Sequence, residues 1–300
     1  MWRATVLLRK RNDVSVASFE QAWLDTIAPA LAAAASSDGQ TIRAIVNVAP
    51  ATISDELRDV FPPAFDGLFE LWFEEPAAAV AVLDMLRSNS SLRDLAVPVI
   101  DGAAGVVWLA QAFPVKPESG SAVKFLAGGN VADGVPLDVA QAYYRNEHPR
   151  VARTAPQVWE PLTRYTQFHG KPAPVVPSID WLAAGRFVPM CSDMGFAEIG
   201  DFLKVYGSEE YARIVRPDEE KFSRPGEMLS FISAEERVLF DRNAAGAAIK
   251  RNARSAQKGM RLGRHRTRLH SVLHLAWRNR GCWNALRGGW RQTAKNRFFG

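Results

Sequence analysis

The sequence predicts an α+β fold: two tandem ferredoxin-like (βαββαβ) units forming a pseudo-dimeric α/β barrel, followed by a basic C-terminal tail. Three observations carry this expectation. Segments of the first 120 residues return in the same order in the next 120. Strand-like and helix-like runs follow one another in the same sequence in both halves. Acidic residues then stop at Asp241. Residues 242–300 hold 15 Lys and Arg and no Asp or Glu, whereas residues 1–241 hold 22 basic against 32 acidic residues, a net of −10. An acidic body and a basic tail call for separate readings.

The totals narrow the class. Three hundred residues with 47% hydrophobic content suffice for one large domain or two ordinary ones. No run of eighteen apolar residues is present, so no membrane span is expected. MWRATVLLRKRNDVS (1–15) reads as a strand and lacks the apolar core and small-residue cleavage site of a secretory signal. Cys191 and Cys282 are the only cysteines, too few for a disulfide framework or a cysteine metal site. A cytoplasmic location is expected.

Sliding the chain by 120 residues lays QAW (21–23) on QAY (141–143), Pro29 on Pro149 and IRAIVNV (42–48) on LTRYTQF (162–168). DGLFELWF (66–73) resembles MGFAEIGDF (194–202) at an offset of 128, as an eight-residue loop insertion would produce. The second copy is the more explicit. AVKFLAGGNV (122–131) is apolar and ends in glycines, which suits a strand and turn. A helix is expected from Pro136 to about Val158, then a β-rich strand over 162–170, a third strand at MGFAEIGDFL, a helix over 208–222 opened by Ser208, and a last strand over 228–240. Boundaries of 1–118, 119–241 and 242–300 follow for a degenerate unit, a unit with the site, and the tail.

These residues resemble the EthD-like family of the dimeric α/β-barrel superfamily. YYRNEHPRV (143–151), RYTQFH (164–169) and FDGLFELWF (65–73), with AEIGDF (197–202) as the second-copy counterpart, are similar to its short motifs. The resemblance spans about residues 3–240. It implies cofactor-free chemistry on hydrophobic, often aromatic or polyketide-derived, small molecules. The first copy departs from the pattern, with Leu24, Ala28 and Ile45 opposite Tyr144, His148 and Tyr165. If the family's histidine is catalytic, only the second unit can work.

Tyr144 and His148 lie one turn apart on a helix, and Pro149 biases His148 out of regular geometry. On the following strand Tyr165 and Gln167 share a face with His169, opposite Arg164, Thr166 and Phe168. Matched to the first copy, where Ala44, Val46 and Val48 form the apolar set, the Tyr165/Gln167 face is expected to look into the barrel. Histidine exchanges protons near neutral pH. His148 is therefore the expected general base or acid, with Tyr144 and Tyr165 orienting or protonating an oxygen and Asn146 and Gln167 donating hydrogen bonds to substrate. The competing reading makes His148 a hydrogen-bonded structural residue. His169 is expected in a loop, and Asp218-Glu219-Glu220 at a solvated helix end.

A lyase or isomerase acting on a hydrophobic carbonyl compound leads. The alternatives are an auxiliary protein of an oxygenase system and an oxidoreductase, cofactor-free or with haem on His148. No metal, no other cofactor and no nucleic acid are expected for the body; a homodimer is left open. The tail, with no acidic residue and interleaved tryptophans, is expected to be disordered and to take no part in catalysis.

Overall fold

The structure is a computed structural model, and it describes residues 1–49, 64–233 and 235–244. The basic stretch therefore lies outside the described residues beyond 244, and its expected disorder with it. The first unit comprises β1 (Trp2–Leu8), α1 (Val16–Ala22), a π turn (Trp23–Ile27), α2 (Ala28–Ser36), β2 (Arg43–Val48), β3 (Gly67–Phe73), α3 (Pro76–Arg87), α4 (Ser90–Ala96) and β4 (Val106–Lys116). The second comprises β5 (Val123–Val131), α5 (Leu137–Asn146), α6 (His148–Arg153), α7 (Pro156–Trp159), β6 (Leu162–Gly170), a short β7 (Ala184–Gly185), β8 (Met190–Phe196), α8 (Ile199–Tyr206), a second π turn (Tyr211–Val215), α9 (Arg216–Glu219), β9 (Ser223–Ser233) and β10 (Glu235–Asp241).

Within the units the strand orders are β2-β3-β1-β4 and β6-β8-β5-β9, the antiparallel ferredoxin-like arrangement. The units join twice. The far half of β4 pairs with β6, and β10, which continues β9, pairs with β2. One sheet thus runs through both units, and its two end strands, β9 and β10, follow one another in the chain. Among the described residues no helix is long and apolar enough to cross a membrane.

Local chemistry explains the breaks. Both π turns run into an X-Pro step, Ala28-Pro29 and Arg216-Pro217. A proline ring inside a helix crowds the carbonyl four residues back, and a wider turn relieves that contact. Pro149 acts more strongly: the single helix expected over 136–158 is split, with α5 ending at Asn146 and α6 starting at His148. The expected third strand is shorter than MGFAEIGDFL. It ends at Phe196, and residues 199–206 form α8, whose Phe202 and Val205 are buried at helical spacing. Ser208 does open the following helix, its hydroxyl accepting from the Tyr211 amide.

The most consequential difference is one of register. β2 presents Ala44, Val46 and Val48 to the helices; β6 presents Tyr165 there, with Gln167 and His169 on the same side. Phe168 and Arg164 face the barrel interior. The true correspondence is one residue longer than the sequence match. With a side-chain period of two, a one-residue slip exchanges the faces of a whole strand. The expectation that Tyr165 and Gln167 look into the barrel is thereby overturned. The same one-residue shift sets Trp23, not Leu24, opposite Tyr144; between β3 and β8 the offset is 123 residues, which sets Asp193, not Glu198, opposite Glu70.

Four fully buried charges fill the barrel interior where the units meet. Arg3 Nη1 lies 3.3 Å from Glu70 Oε2 and 2.5 Å from Asp193 Oδ2. Lys124 pairs with Glu70 at very short range, with Glu236 at 2.6 Å and with Asp193 at 4.0 Å. Arg164 Nη2 adds a 3.0 Å contact to Asp193, and the Arg3 guanidinium stacks 3.4 Å over the Phe168 ring. Burial opposes ionisation of Asp193, but Lys124, Arg164 and Arg3 outweigh it and hold the carboxyl well below the usual range. Removing one partner strands the others without solvent. Glu70→Ala is expected to lower unfolding free energy by about 3–5 kcal/mol, and urea melts of Glu70→Ala, Lys124→Met and the double variant should show a double loss well short of additive.

Candidate functional site

In the second unit the space between sheet and helices is not filled. A cavity of about 90 Å³ lies there, with Tyr144, Tyr165, Ser192 and Met194 on its inner side and His148, Tyr206, Tyr211 and Glu219 around the rest. In the first unit the corresponding space holds Trp23. Its indole donates to the Asn47 carbonyl at 3.0 Å and meets the Phe69 ring edge-on at 6.0 Å. Gly67 makes room for it, since a Cβ there would stand 3.0 Å from Trp23 Nε1. One unit is plugged and the other open.

His148 begins α6 and is buried, 6% exposed. Its Nδ1 lies 2.9 Å from Asp218 Oδ2, and its ring meets Phe222 edge-on at 5.0 Å. Asp218 is 1% exposed and also accepts from the Tyr143 hydroxyl at 2.5 Å and from Lys221 Nζ at 3.0 Å, both on Oδ1. Burial alone would raise the proton affinity of Asp218; hydrogen bonds from His148, Tyr143 and Lys221 reverse this and hold it down at about 2. An ionised carboxylate on Nδ1 favours the tautomer with hydrogen on Nδ1, leaving Nε2 as an acceptor. His148 is among the residues that line the cavity.

The other sequence candidates fall into place unevenly. Tyr144 stacks between Phe222 and His169, at 5.2 and 5.3 Å, and shares a 2.7 Å hydrogen bond with Ser192. Burial pushes its phenol well above the ordinary value and pushes Tyr165 up to about 12, so both are neutral donors at physiological pH. Gln167 is wholly buried behind the cavity. Its Nε2 donates to the Tyr144 carbonyl at 2.6 Å and the Tyr165 hydroxyl at 3.0 Å, so it braces the two tyrosines and is outside the lining. Asn146 is exposed at the end of α5, also outside the lining, and is not carried into the site.

Sequence reasoning missed Asp218 and Glu219. The acidic run is not uniformly solvated: Asp218 is buried, Glu219 lines the cavity and only Glu220 is exposed. A signal was available, because Val215, Asp218 and Phe222 recur at i, i+3 and i+7 and so share one helical face. His169 is likewise not a loop residue. It lies on β6, 3% exposed, with Phe113 edge-on at 4.7 Å.

Comparison with known proteins gives likeness in fold alone. No family model and no curated protein matches the chain. Among solved structures, an anthrone oxidase-like protein is 8% identical, covers 80% of this chain and 94% of its own, and has a TM-score of 0.48. A chlorite dismutase variant from Candidatus Nitrospira defluvii is 10% identical, covers 77% and 90%, and has a TM-score of 0.44. A protein assigned as a monooxygenase from Lactobacillus acidophilus is 9% identical, covers 79% and 95%, and has a TM-score of 0.41. The strand order itself defines the architecture: two ferredoxin-like units joined in one sheet within a single chain. The EthD-like resemblance rests on its short motifs.

One expectation is corrected here. Chlorite dismutases are haem-binding proteins, so the expectation of no cofactor does not stand for this fold. His148 Nε2 is a nitrogen of the kind that ligates haem iron. The cavity around it, about 90 Å³, is far below the roughly 300 Å³ that sites for larger ligands begin at, so it does not fit a macrocycle and no step is routed through one. No cluster of three His, Cys, Asp or Glu able to hold a metal occurs among the described residues.

His169 ties stability to pH. Burial first, then Lys171 and Arg145, lower its pKa from 6.5 to about 4. The unfolded chain binds the extra proton first, so the stabilising contribution is complete above pH 6.5 and is lost as pH falls from 6.5 to about 4. Denaturation melts should show a loss on the order of 3 kcal/mol over that window, and His169→Gln should flatten the slope there.

Proposed function

We propose that the second unit is an enzyme that moves protons on a small hydrophobic carbonyl compound, removing a proton next to the carbonyl so that the substrate isomerises, eliminates or cyclises. The observation that supports this most is the His148–Asp218 pair at the wall of the cavity. Asp218, fixed by three donors, orients the imidazole and stabilises the imidazolium that forms when Nε2 takes a proton. Histidine and carboxylate come from different helical segments and meet only in the fold. A merely structural histidine needs no ligand-accessible face.

The remaining groups suit this role. Tyr144 and Tyr165, neutral because buried, can donate to an oxygen that gains charge. Phe222, Val158 and Leu162 keep the surroundings apolar, which strengthens each polar contact inside. The volume sets the size of the substrate. A cavity of about 90 Å³ is smaller than the roughly 150 Å³ of a dry cavity that binds benzene. One small ring, partly in the mouth, is the upper limit, which replaces the larger polyketide-like substrate with a compact one.

Cyclohexanone in deuterated buffer provides the test. The protein is expected to accelerate exchange of the C–H protons beside the carbonyl, read by proton NMR, and His148→Ala should slow it by about 10²–10⁴-fold with ketone affinity retained. Exchange no faster than with free imidazole at equal concentration overturns the reading. Binding without exchange would mark a binding protein instead.

A further inference from the structure

Asp218 and Glu219 are consecutive residues with opposite surroundings. Asp218 turns inward, accepts hydrogen bonds from His148, Tyr143 and Lys221, and lies outside the cavity lining. Glu219 turns to the cavity, where Oε2 accepts from the Tyr211 hydroxyl at 3.1 Å and lies 3.6 Å from Arg216 Nη1. The 3.6 Å contact is a long one, beyond ordinary hydrogen-bond distance. Three donors on one carboxyl and a single short one on its neighbour is a large difference in the stabilisation of negative charge. The two side chains therefore have different proton affinities, the usual basis for separating an acid from a base in one site.

We propose that Glu219 is a second catalytic residue of this cavity, giving a proton to the substrate oxygen as His148 removes one from carbon. The proposal rests on the proton-transfer reading above. In the forward step His148 Nε2 takes the proton from the carbon beside the carbonyl, and the C–H electron pair becomes the carbon–carbon double bond. The carbonyl π pair moves to oxygen, which takes the Glu219 proton. Enol, imidazolium and carboxylate result. In the return step Glu219 recovers the O–H proton and the imidazolium delivers its proton to the same carbon or, where the substrate carries a double bond conjugated with the enol, to the far end of that dienol. No oxidant or reductant is needed, and the net change is an isomerisation or, in deuterated water, exchange.

The surroundings favour this assignment. Burial raises the proton affinity of Glu219, and Asp218 beside it acts in the same direction; His148, Arg216 and Tyr211 act against it, and the net shift is upward. From the neighbouring elements, Tyr206 on α8 and Tyr165 on β6 also sense the Glu219 charge, and both phenols stay neutral. The segment that carries Glu219 follows the π turn over Tyr211–Val215, and such turns recur at functional sites because they re-aim side chains.

The experiment measures cyclohexanone exchange against pH for the wild type, Glu219→Gln, Tyr211→Phe and His148→Ala, with melting temperatures as a check on folding. Glu219→Gln is expected to slow exchange at least 10²-fold and to remove one limb of the pH profile. Tyr211→Phe withdraws a hydrogen bond that lowers the Glu219 proton affinity, so the Glu219 limb should move to higher pH, a displacement that a purely structural role would not cause. Full exchange by Glu219→Gln while His148→Ala is inactive overturns the assignment and leaves the His148 reading standing. A wild type without activity overturns both. Should Glu219→Gln fail to fold, the Tyr211→Phe profile decides: an unmoved limb counts against Glu219.

Discussion

The two units are held in one register by buried charges whose shortest pairings run from one unit to the other. Arg3 belongs to the first unit, and its shortest ion pair is with Asp193 of the second; Lys124 belongs to the second and makes its shortest with Glu70 of the first. Each buried cation thus depends on an acid across the barrel. Desolvating four such groups costs several kcal/mol apiece, and the mutual attraction offsets this only when geometry is close to ideal. A sheet slipped by one residue would turn these side chains towards the apolar helix face, where nothing could neutralise them. The interior is closed by the same logic, since β4 meets β6 and β10 meets β2. With the barrel fixed, the outer faces of the two half-sheets are free to differ.

They differ through a few side chains. Trp23 fills the first unit, with its own ring nitrogen satisfied by the Asn47 carbonyl and a glycine at 67 admitting its bulk. Tyr144 is smaller, and its hydroxyl turns to Ser192, so a void is left beside it. Into that void project groups from separate elements: His148 from the broken helix, Tyr165 from β6, Tyr211 and Glu219 from the segment around α9. The prolines that interrupt those helices are therefore part of how the site is built, because a straight helix would aim these side chains elsewhere.

Much of the architecture was legible in the sequence. A repeated order of strands and helices and a single histidine-bearing copy follow from spacing and residue type; the one strand expected over 228–240 is instead two, β9 and β10, which pair with different units. Register was not legible. QAW aligns with QAY through Gln-Ala and an aromatic residue, yet the indole of Trp23 stands opposite the second tyrosine of the pair, because position is decided by which residue reaches the sheet and not by identity. The helix α8 was read as a strand because AEIGDF imitates the letters of β3; its burial at Phe202 and Val205 follows a helical period instead. Asp218 was hidden among three acids, where only its spacing from Val215 and Phe222 told it apart. His148 and Tyr144 could be found locally, being one turn apart; their partners come from segments about 50 to 70 residues distant, which no local pattern reports.

Trp23 has an evolutionary consequence. A barrel made by association of two identical chains receives every substitution in duplicate, so a plug that blocks one pocket blocks both. Fusion of the halves into a single polypeptide lifts that symmetry: a bulky indole can consolidate one side while the other stays hollow. On the proposed function, the stoichiometry that follows is one ligand per chain.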